Sequence, residues 1–422
     1  MNAKLNETKP KLFIGIDWAD QEHVLHLISS DSNKHSTEKL QQQPEAIAKW
    51  VKQLRQRFPG HRLMVILEVS RGALFAALAE YDDLELYPVN PKQLSRYRDS
   101  HCPSGGKNDV VDAKLLANFL KERHEGWRQW LPDDLCTRQM SQYSEIRRKL
   151  VDDRKSLVLK IQSTLKVYFP QALTLFTTDM QDDQNLDLLR RWPSLQTLKR
   201  VKPQTLRRFL KEHRVKNEEQ QTEFIESVRS ATPLTKDQAI VKANALYVQS
   251  LIQQLRDLNH SIEQFDEQLK ELVKVHPDAE IFQCLPGAGE ALVPRLIAAM
   301  GSQRDRYESA NDIQCRVGIA PITIQSGKSL HVQKRIACPK FLRQTFHEFA
   351  DHARKWSPWA KAFYQMKRSQ GMKHHAAVRA LAYKWMRIIF RLWKTKTIYN
   401  ENQYIQRLKA TGSPIVNFLE KS

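Results

Sequence analysis

Four carboxylates stand at a spacing suited to phosphoryl-transfer chemistry: Asp17, Glu68, Asp109 and Asp112. Asp17 closes the apolar run LFIGID (12–17), and Glu68 lies inside a second apolar run, LMVILEV (63–69). Asp109 and Asp112 open DVVDAKLLANFL (109–120), three residues apart and therefore on one helix face. Carboxylates gathered at buried strand ends repel one another and raise one another's pKa unless a cation neutralises them. Hard oxygen donors of this kind suit Mg2+, and a pair of such ions can clamp the oxygens exchanged at a phosphorus. Taken singly, each acid also reads as a helix cap or a dipole partner, Asp109 and Asp112 above all. Glu68 resists that reading, because a carboxylate within an apolar strand needs a partner. The order strand–Asp, strand–Glu, helix–Asp-x-x-Asp points to an RNase H-like nuclease site.

The elements that must position these acids alternate between strand and helix over residues 11–130. KLFIGID (11–17) and HVLHLIS (23–29) are strand-length runs separated by a short polar turn, as an antiparallel hairpin requires. A helix is expected at about 44–57, a third strand at 63–69, a helix at 72–80 and a fourth strand at 84–90. This order predicts a mixed sheet covered by helices. The polar, Gly-containing stretch 98–108 reads as a loop leading into the Asp109 helix. Its Lys107 is a candidate phosphate contact, although the solvated loop lysine is the stronger reading.

Residues 137–170 predict one long basic helix with Ile146, Leu150, Leu157, Ile161 and Leu165 along a stripe and Pro170 as its stop. Leu251, Leu255, Leu258, Ile262, Phe265, Leu269 and Leu272 follow a 4, 3 heptad spacing for three heptads. Together these give a helical or coiled-coil arm over 136–278, with 171–235 as an elaboration at its far end. Such an arm either packs on itself or holds protomers together. The fold class expected is thus α/β plus α: a mixed-sheet domain over 1–135, the arm, and a mostly helical domain over 279–422.

In that last domain, LPGAGEALVPRLIAAMG (285–301) fits a helix-hairpin-helix. Its Gly287 and Gly289 would let backbone N–H groups approach a DNA phosphate, although Gly-x-Gly also serves ordinary helix junctions. Further on, Ser326 precedes Gly327 in a stretch flanked by basic residues, with Lys328 and Arg335 following it. A serine in such a loop is usually structural, and no Gly-x-Ser-x-Gly elbow is present for acyl transfer. Basic groups and a metal can nevertheless activate a serine to attack a phosphodiester. The helical stretch running to about 394 is basic.

Composition agrees with a polyanionic partner. Lys and Arg number 67 against 47 Asp and Glu, a net charge of +20 spread along the chain, and such a surface binds nucleic acid by counterion release. Five scattered cysteines with no C-x-x-C pair argue against a zinc ribbon or a disulfide scaffold, and for a reducing cytoplasm. No run approaches the about 18 apolar residues of a membrane span, and the N-terminus lacks a signal-peptide core.

In order, the motifs GIDWA, VILEV, KNDVVDAKLLA, LPGAGEALVPRLIAAMG, YESANDIQCRVGIAPITIQSGK and FLRQTFHEFA resemble those of the bacterial DEDD-type insertion-sequence transposases. The resemblance spans nearly the whole chain. It implies a RuvC-like amino-terminal domain whose Asp17, Glu68, Asp109 and Asp112 bind Mg2+. It also implies a carboxy-terminal transposase domain in which Ser326 attacks DNA and becomes a covalent phosphoserine. The partners implied are element-end and target DNA, a structured guide (bridge) RNA, and further copies of the chain in a dimer or tetramer. The setting implied is the bacterial cytoplasm and nucleoid. The chain departs from the family pattern at Asn108, at Val293 and Pro294, and at Cys338-Pro339-Lys340. The acids alone also fit a Holliday-junction-type endonuclease that uses metal-activated water.

Overall fold

The structure is a computed structural model that describes residues 9–32, 34–68, 72–101, 108–174, 181–327 and 329–419. The chain divides into two compact units, one of Met1–Asp134 with Gly301–Arg343 and the other of Leu135–Met300 with Gln344–Ser422.

The first unit is built on a mixed five-stranded sheet. Its strands are β1 (Lys11–Asp17), β2 (Glu22–Ser29), β3 (His35–Gln41), β4 (Arg62–Leu67) and β5 (Leu84–Pro88), in the order β3-β2-β1-β4-β5. β1, β2 and β3 form an antiparallel meander, whereas β4 and β5 run parallel to β1. The expected hairpin and apolar runs are therefore present, and the strand expected at 84–90 is the fifth. The sequence reading lacks β3 because HSTEKLQ is polar and mostly exposed. That is how an edge strand avoids templating further pairing.

Alternation along the strands divides the core into two layers. Leu12, Ile14 and Ile16 face α1 (Pro44–Arg57) and α2 (Ala73–Leu78), packing on Trp50, Val51, Leu54 and Leu78. Phe13, Met64 and Ile66 face the opposite way, onto Leu116, Ala117 and Leu120 of α4 (Asp109–Arg123). Between β5 and α4 lies α3 (Pro91–His101), so residues 98–101 of the expected loop are helical, and 102–107 fall outside the described residues. Proline at the first position and the apolar pair Leu94 and Tyr97 give α3 its helical signal.

The segment 301–343 is tied to the end of the amino-terminal stretch by several hydrogen bonds, with Asp133 the chief acceptor among them. Asp133 accepts from the backbone N–H groups of Ser302 and Gln303 and pairs with Arg306 at 2.9 Å. This segment holds α13 (Ala310–Arg316) and a hairpin of β6 (Ile322–Ser326) and β7 (Ser329–Gln333).

The second unit is helical. α5 (Leu135–Tyr168) and α10 (Gln238–Val275) form the arm and pack on each other. The buried stripe of α5 runs through Met140, Ser144, Val151, Val158, Ile161 and Leu165. Ile146 is exposed and Leu150 only half-buried, which corrects the expected stripe. Along α10, Leu251, Leu255, Ile262 and Leu269 are buried, while the alternate heptad positions Leu258, Phe265 and Leu272 stay half-buried. The described part of 171–235 holds α6 (Asp183–Arg191), α7 (Leu195–Lys199), α8 (Pro203–Glu212) and α9 (Glu218–Ser230), which bury a shared core against the arm. The unit is completed by α11 (Ala279–Gln283), α12 (Val293–Met300), α14 (Lys340–Trp356), α15 (Pro358–Ser369), α16 (His374–Thr395), α17 (Glu401–Ala410) and α18 (Val416–Leu419). No helix among the described residues is long and apolar enough to cross a membrane.

Candidate active site

Asp17 is the last residue of β1, and Glu68 lies one residue beyond β4, not inside it. The last paired residues of these parallel neighbours are Ile16 and Leu67, so one further step sets Asp17 beside Glu68 at two carboxyl-terminal strand ends. Alternation from Phe13 and Met64 turns both residues toward the α4 layer. Both are half-buried, so each keeps access to solvent and ligand.

The close approach of α4 to β1 depends on Gly15. A Cβ there would stand 2.2 Å from the carbonyl oxygen of Ala113 and 2.4 Å from the backbone N of Ala117. Only a residue without a side chain lets the helix lie this low on the strand, two residues before Asp17. Asn108 starts α4, its side chain accepting from the Val110 N–H at 2.9 Å. Asparagine is among the strongest N-cap residues, so the helix start is well anchored there.

Within the first turn of α4 the two acids differ. Asp109 is exposed, whereas Asp112 is only 2 % exposed. Arg98 of α3 brings a guanidinium nitrogen to 2.8 Å from Asp112 Oδ1. That contact is close without hydrogen-bond alignment, and Oδ1 and the Arg98 Nε are both buried without a hydrogen-bond partner. Charge proximity is satisfied, while the directional capacity of the oxygen is not. Sequence reading missed Arg98; the Leu94 and Tyr97 spacing was the signal that would have put it on a helix.

Among the described residues no group of three or more His, Cys, Asp or Glu side chains converges closely enough to hold a metal ion. The sheet sets Asp17 beside Glu68, and the first turn of α4 carries Asp109 and Asp112, without closing them into a coordination shell. The donors are nevertheless all hard carboxylate oxygens, and the unaligned Oδ1 of Asp112 retains acceptor capacity. This set fits a divalent cation such as Mg2+.

Ser326 ends β6 and pairs with Ser329 across the hairpin tip, where Gly327 takes a positive φ of 55°. It is exposed. Lys328 and Lys107 lie outside the described residues. Arg335 is half-buried and directs a guanidinium nitrogen toward the Cys315 thiol at 3.7 Å. Cys338, at the start of the Cys-Pro-Lys departure, fills the space over Gly318, where a Cβ would stand 2.2 Å from its sulfur.

The two hairpin glycines have different surroundings. Gly287 has φ +80° and would place a Cβ 2.9 Å from the backbone of His352 and Ala353, so α14 packing alone requires glycine there. Gly289 has open space on that side. Pro294 falls in the first turn of α12, where its missing N–H costs nothing. The next residue, Arg295, is buried and bonded to Glu348 at 2.6 Å and to Thr345 at 3.1 Å, joining α12 to α14.

Comparison with known proteins places this geometry in a class. Residues 14–170 match the DEDD-type model described as Transposase, and residues 279–365 match the model of the Transposase IS116/IS110/IS902 family. The chain belongs to this family of insertion-sequence transposases. Among relatives, it is 25% identical over 399 residues to the mini-circle putative transposase for IS117 of Streptomyces coelicolor, covering 93% of this chain and 96% of that one. It is 21% identical to the insertion element IS900 uncharacterized 42 kDa protein of Mycobacterium paratuberculosis, over 92% of this chain and 97% of that one. A 108-residue stretch is 32% identical to the pilin gene-inverting protein of Moraxella bovis, covering 24% of this chain and 33% of that protein.

Proposed function

We propose that the protein cuts and rejoins DNA to excise and insert an insertion sequence, with Ser326 as nucleophile and Asp17, Glu68, Asp109 and Asp112 as the ligands of Mg2+. The observation that carries this reading is the alignment of Asp17 and Glu68 at neighbouring parallel strand ends, on the face that Gly15 opens to the Asp109 helix. Strand order β3-β2-β1-β4-β5 with acids at these ends supports an RNase H-like, RuvC-like reading of residues 1–135. Residues 136–278 then act as the arm and 279–422 as the transposase domain.

In the reaction proposed, the Ser326 oxygen bonds to phosphorus while a deoxyribose oxygen leaves with a proton and the serine gives one up. Attack by a second deoxyribose hydroxyl on the phosphoserine reverses the exchange. The number of phosphodiester linkages is conserved and no external energy source is needed. The hairpin tip leaves Ser326 exposed, and Lys328 and Arg335 would neutralise phosphate charge nearby. When bound, Mg2+ would supply Lewis-acid polarisation of the phosphate. Lys107, Gly287 and Gly289 would contact the DNA backbone. The relationship to a gene-inverting protein supports recombination over simple cleavage.

Sequence choice is assigned to a structured guide (bridge) RNA, which the net charge of +20 would help to hold. The half-buried Leu258, Phe265 and Leu272 along α10 support assembly of a dimer or tetramer. The place of action is the bacterial cytoplasm and nucleoid.

The test is a denaturing gel of the protein incubated with element-end DNA, Mg2+ and the adjacent non-coding RNA, with wild type beside Ser326→Ala. The proposal expects a protease-sensitive covalent protein–DNA band that requires RNA and disappears in the variant. Equal cleavage by both proteins with no covalent band would replace it with the Holliday-junction-type reading, in which activated water cuts.

A further inference from the structure

Beyond both stretches matched to the transposase models, α16 and α17 enclose an open cavity of about 580 Å3. Its walls carry Lys384, Arg387 and Arg391 from α16 and Arg407 from α17. Positions 384, 387 and 391 are three and four apart, so they form one stripe along α16. No ion pair joins any of these four cations to a carboxylate among the described residues. Both oxygens of Glu401 on α17 are already engaged: one accepts from Ser357 Oγ at 2.8 Å and the other from the Tyr399 hydroxyl at 2.6 Å. Burial, with Arg387 and Lys367 nearby, holds the Lys384 ammonium below its ordinary pKa. The positive charge at the cavity is therefore uncompensated, and an anion entering it would relieve the repulsion.

The rest of the lining is suited to a base. Tyr399 and Tyr404 line the cavity, and the Tyr404 ring is braced by Trp359 at 4.8 Å. Asn400 and Gln403 add amide groups that can donate and accept. The volume lies in the range of small-ligand pockets. A duplex presents a convex backbone with its bases stacked inside, and it needs no such recess. Aromatic walls, amides and free arginines around a concavity are the components that bind an unstacked base and its flanking phosphates.

We propose that this cavity holds one unpaired nucleotide of a single-stranded nucleic acid, with Arg387 and Arg391 on its phosphates and Tyr404 against its base. The assignment deepens the nucleic-acid reading above and does not depend on Ser326 or the acidic edge.

The experiment uses the full chain and fluorescence anisotropy with a labelled single strand, as RNA and as DNA of the same mixed sequence, and with a labelled duplex DNA. Arg387→Ala/Arg391→Ala is expected to weaken single-strand binding roughly tenfold or more. It should also lower the slope of log K against log salt by about 1.4, the value for two lost single-strand phosphate contacts. Duplex binding should change little. A control pair of exposed lysines elsewhere, Lys211→Ala/Lys216→Ala, should shift single-strand binding less than twofold. A thiouridine-substituted RNA should crosslink to a peptide within 397–407. Equal losses for single strand and duplex, matched by the control pair, would overturn the proposal, as would the absence of that crosslink. Ser326→Ala should bind the single strand as wild type does. Failure of the transposase reading would therefore appear in the covalent-band assay alone, and failure of the pocket in the anisotropy alone.

Discussion

Gly15→Ala is the sharpest test of how the acidic edge is built. The added methyl would sit 2.2 Å from the Ala113 carbonyl oxygen and 2.4 Å from the Ala117 nitrogen, where ordinary contact begins at 3.4 Å. Both obstacles are backbone atoms of α4, so no rotamer change can relieve them. The helix must move off β1 by roughly 1 Å, against the packing of Leu116, Ala117 and Leu120. Overpacking a well-filled core costs about 1–3 kcal/mol, and the rigid backbone on both sides puts this site at or above the upper end. For a unit of this size about 3 kcal/mol corresponds to a Tm loss of roughly 6–12 °C. The displacement also carries Asp109 and Asp112 away from Asp17, and a misplacement of about 1 Å can cost roughly a hundredfold in rate. Thermal unfolding followed by circular dichroism, beside the strand-exchange assay, measures both effects. A Gly15→Ala protein that melts and reacts as wild type does would refute the close packing of α4 on β1 as the device that positions the acids.

Two further outcomes follow from buried charges. Asp112→Ala should destabilise the protein by about 3–5 kcal/mol, because it strands the Arg98 guanidinium. Asp112→Asn should cost less in stability yet abolish strand exchange as fully; urea unfolding within about 1 kcal/mol of wild type for the alanine variant would contradict the pair's role. Burial holds His23, His26 and His347 below the ordinary imidazole value of 6.5, with His375 and Arg379 adding to the effect at His347. Below pH 6.5 the unfolded chain binds protons that the folded chain refuses, so their contribution to stability is present above 6.5 and is lost as pH falls. Melting should occur at lower temperature at pH 5.5 than at pH 7.5, and His347→Phe should reduce the difference; equal Tm values at the two pH values would exclude this linkage.

The fold was legible where side-chain pattern and environment coincide. β1, β2, β4 and β5 are apolar because both sheet faces are covered, and α1 is set between Pro44 and the Pro59-Gly60 turn. β3 was illegible because an exposed edge strand has no apolar alternation to read. α3 was hidden by its polar carboxyl-terminal half, which carries Arg98. In α5 the stripe was misread because small polar residues, Thr137, Ser144 and Thr164, occupy buried positions that an apolar search skips. At the site, residue types and spacing were enough to put Asp17 and Glu68 at neighbouring strand ends and Asp109 and Asp112 in one helical turn. They could not show that Asp112 is buried beside an arginine from another helix, since that depends on packing between elements distant in sequence. Likewise, Gly287 read as a phosphate contact, whereas its tight approach to α14 is visible only in three dimensions.

The Arg98–Asp112 pair bears directly on how such an edge keeps its charge. A carboxylate as buried as Asp112 is costly unless a counter-charge accompanies it. Arg98 provides that charge from α3, whose position on α4 is fixed by the stack of Tyr97 on Phe119 at 4.3 Å. The guanidinium is thus held near the carboxylate by core packing and not by its own hydrogen bonds, which are unaligned. A counter-charge held in that way neutralises the acid without saturating it. Under the proposed reading, a divalent cation at the edge competes with a partner that is close but poorly directed. The affinity of the edge for that cation then depends on the Tyr97–Phe119 stack as well as on the carboxylates. Weakening the stack should therefore alter metal dependence although neither ring carries a ligand.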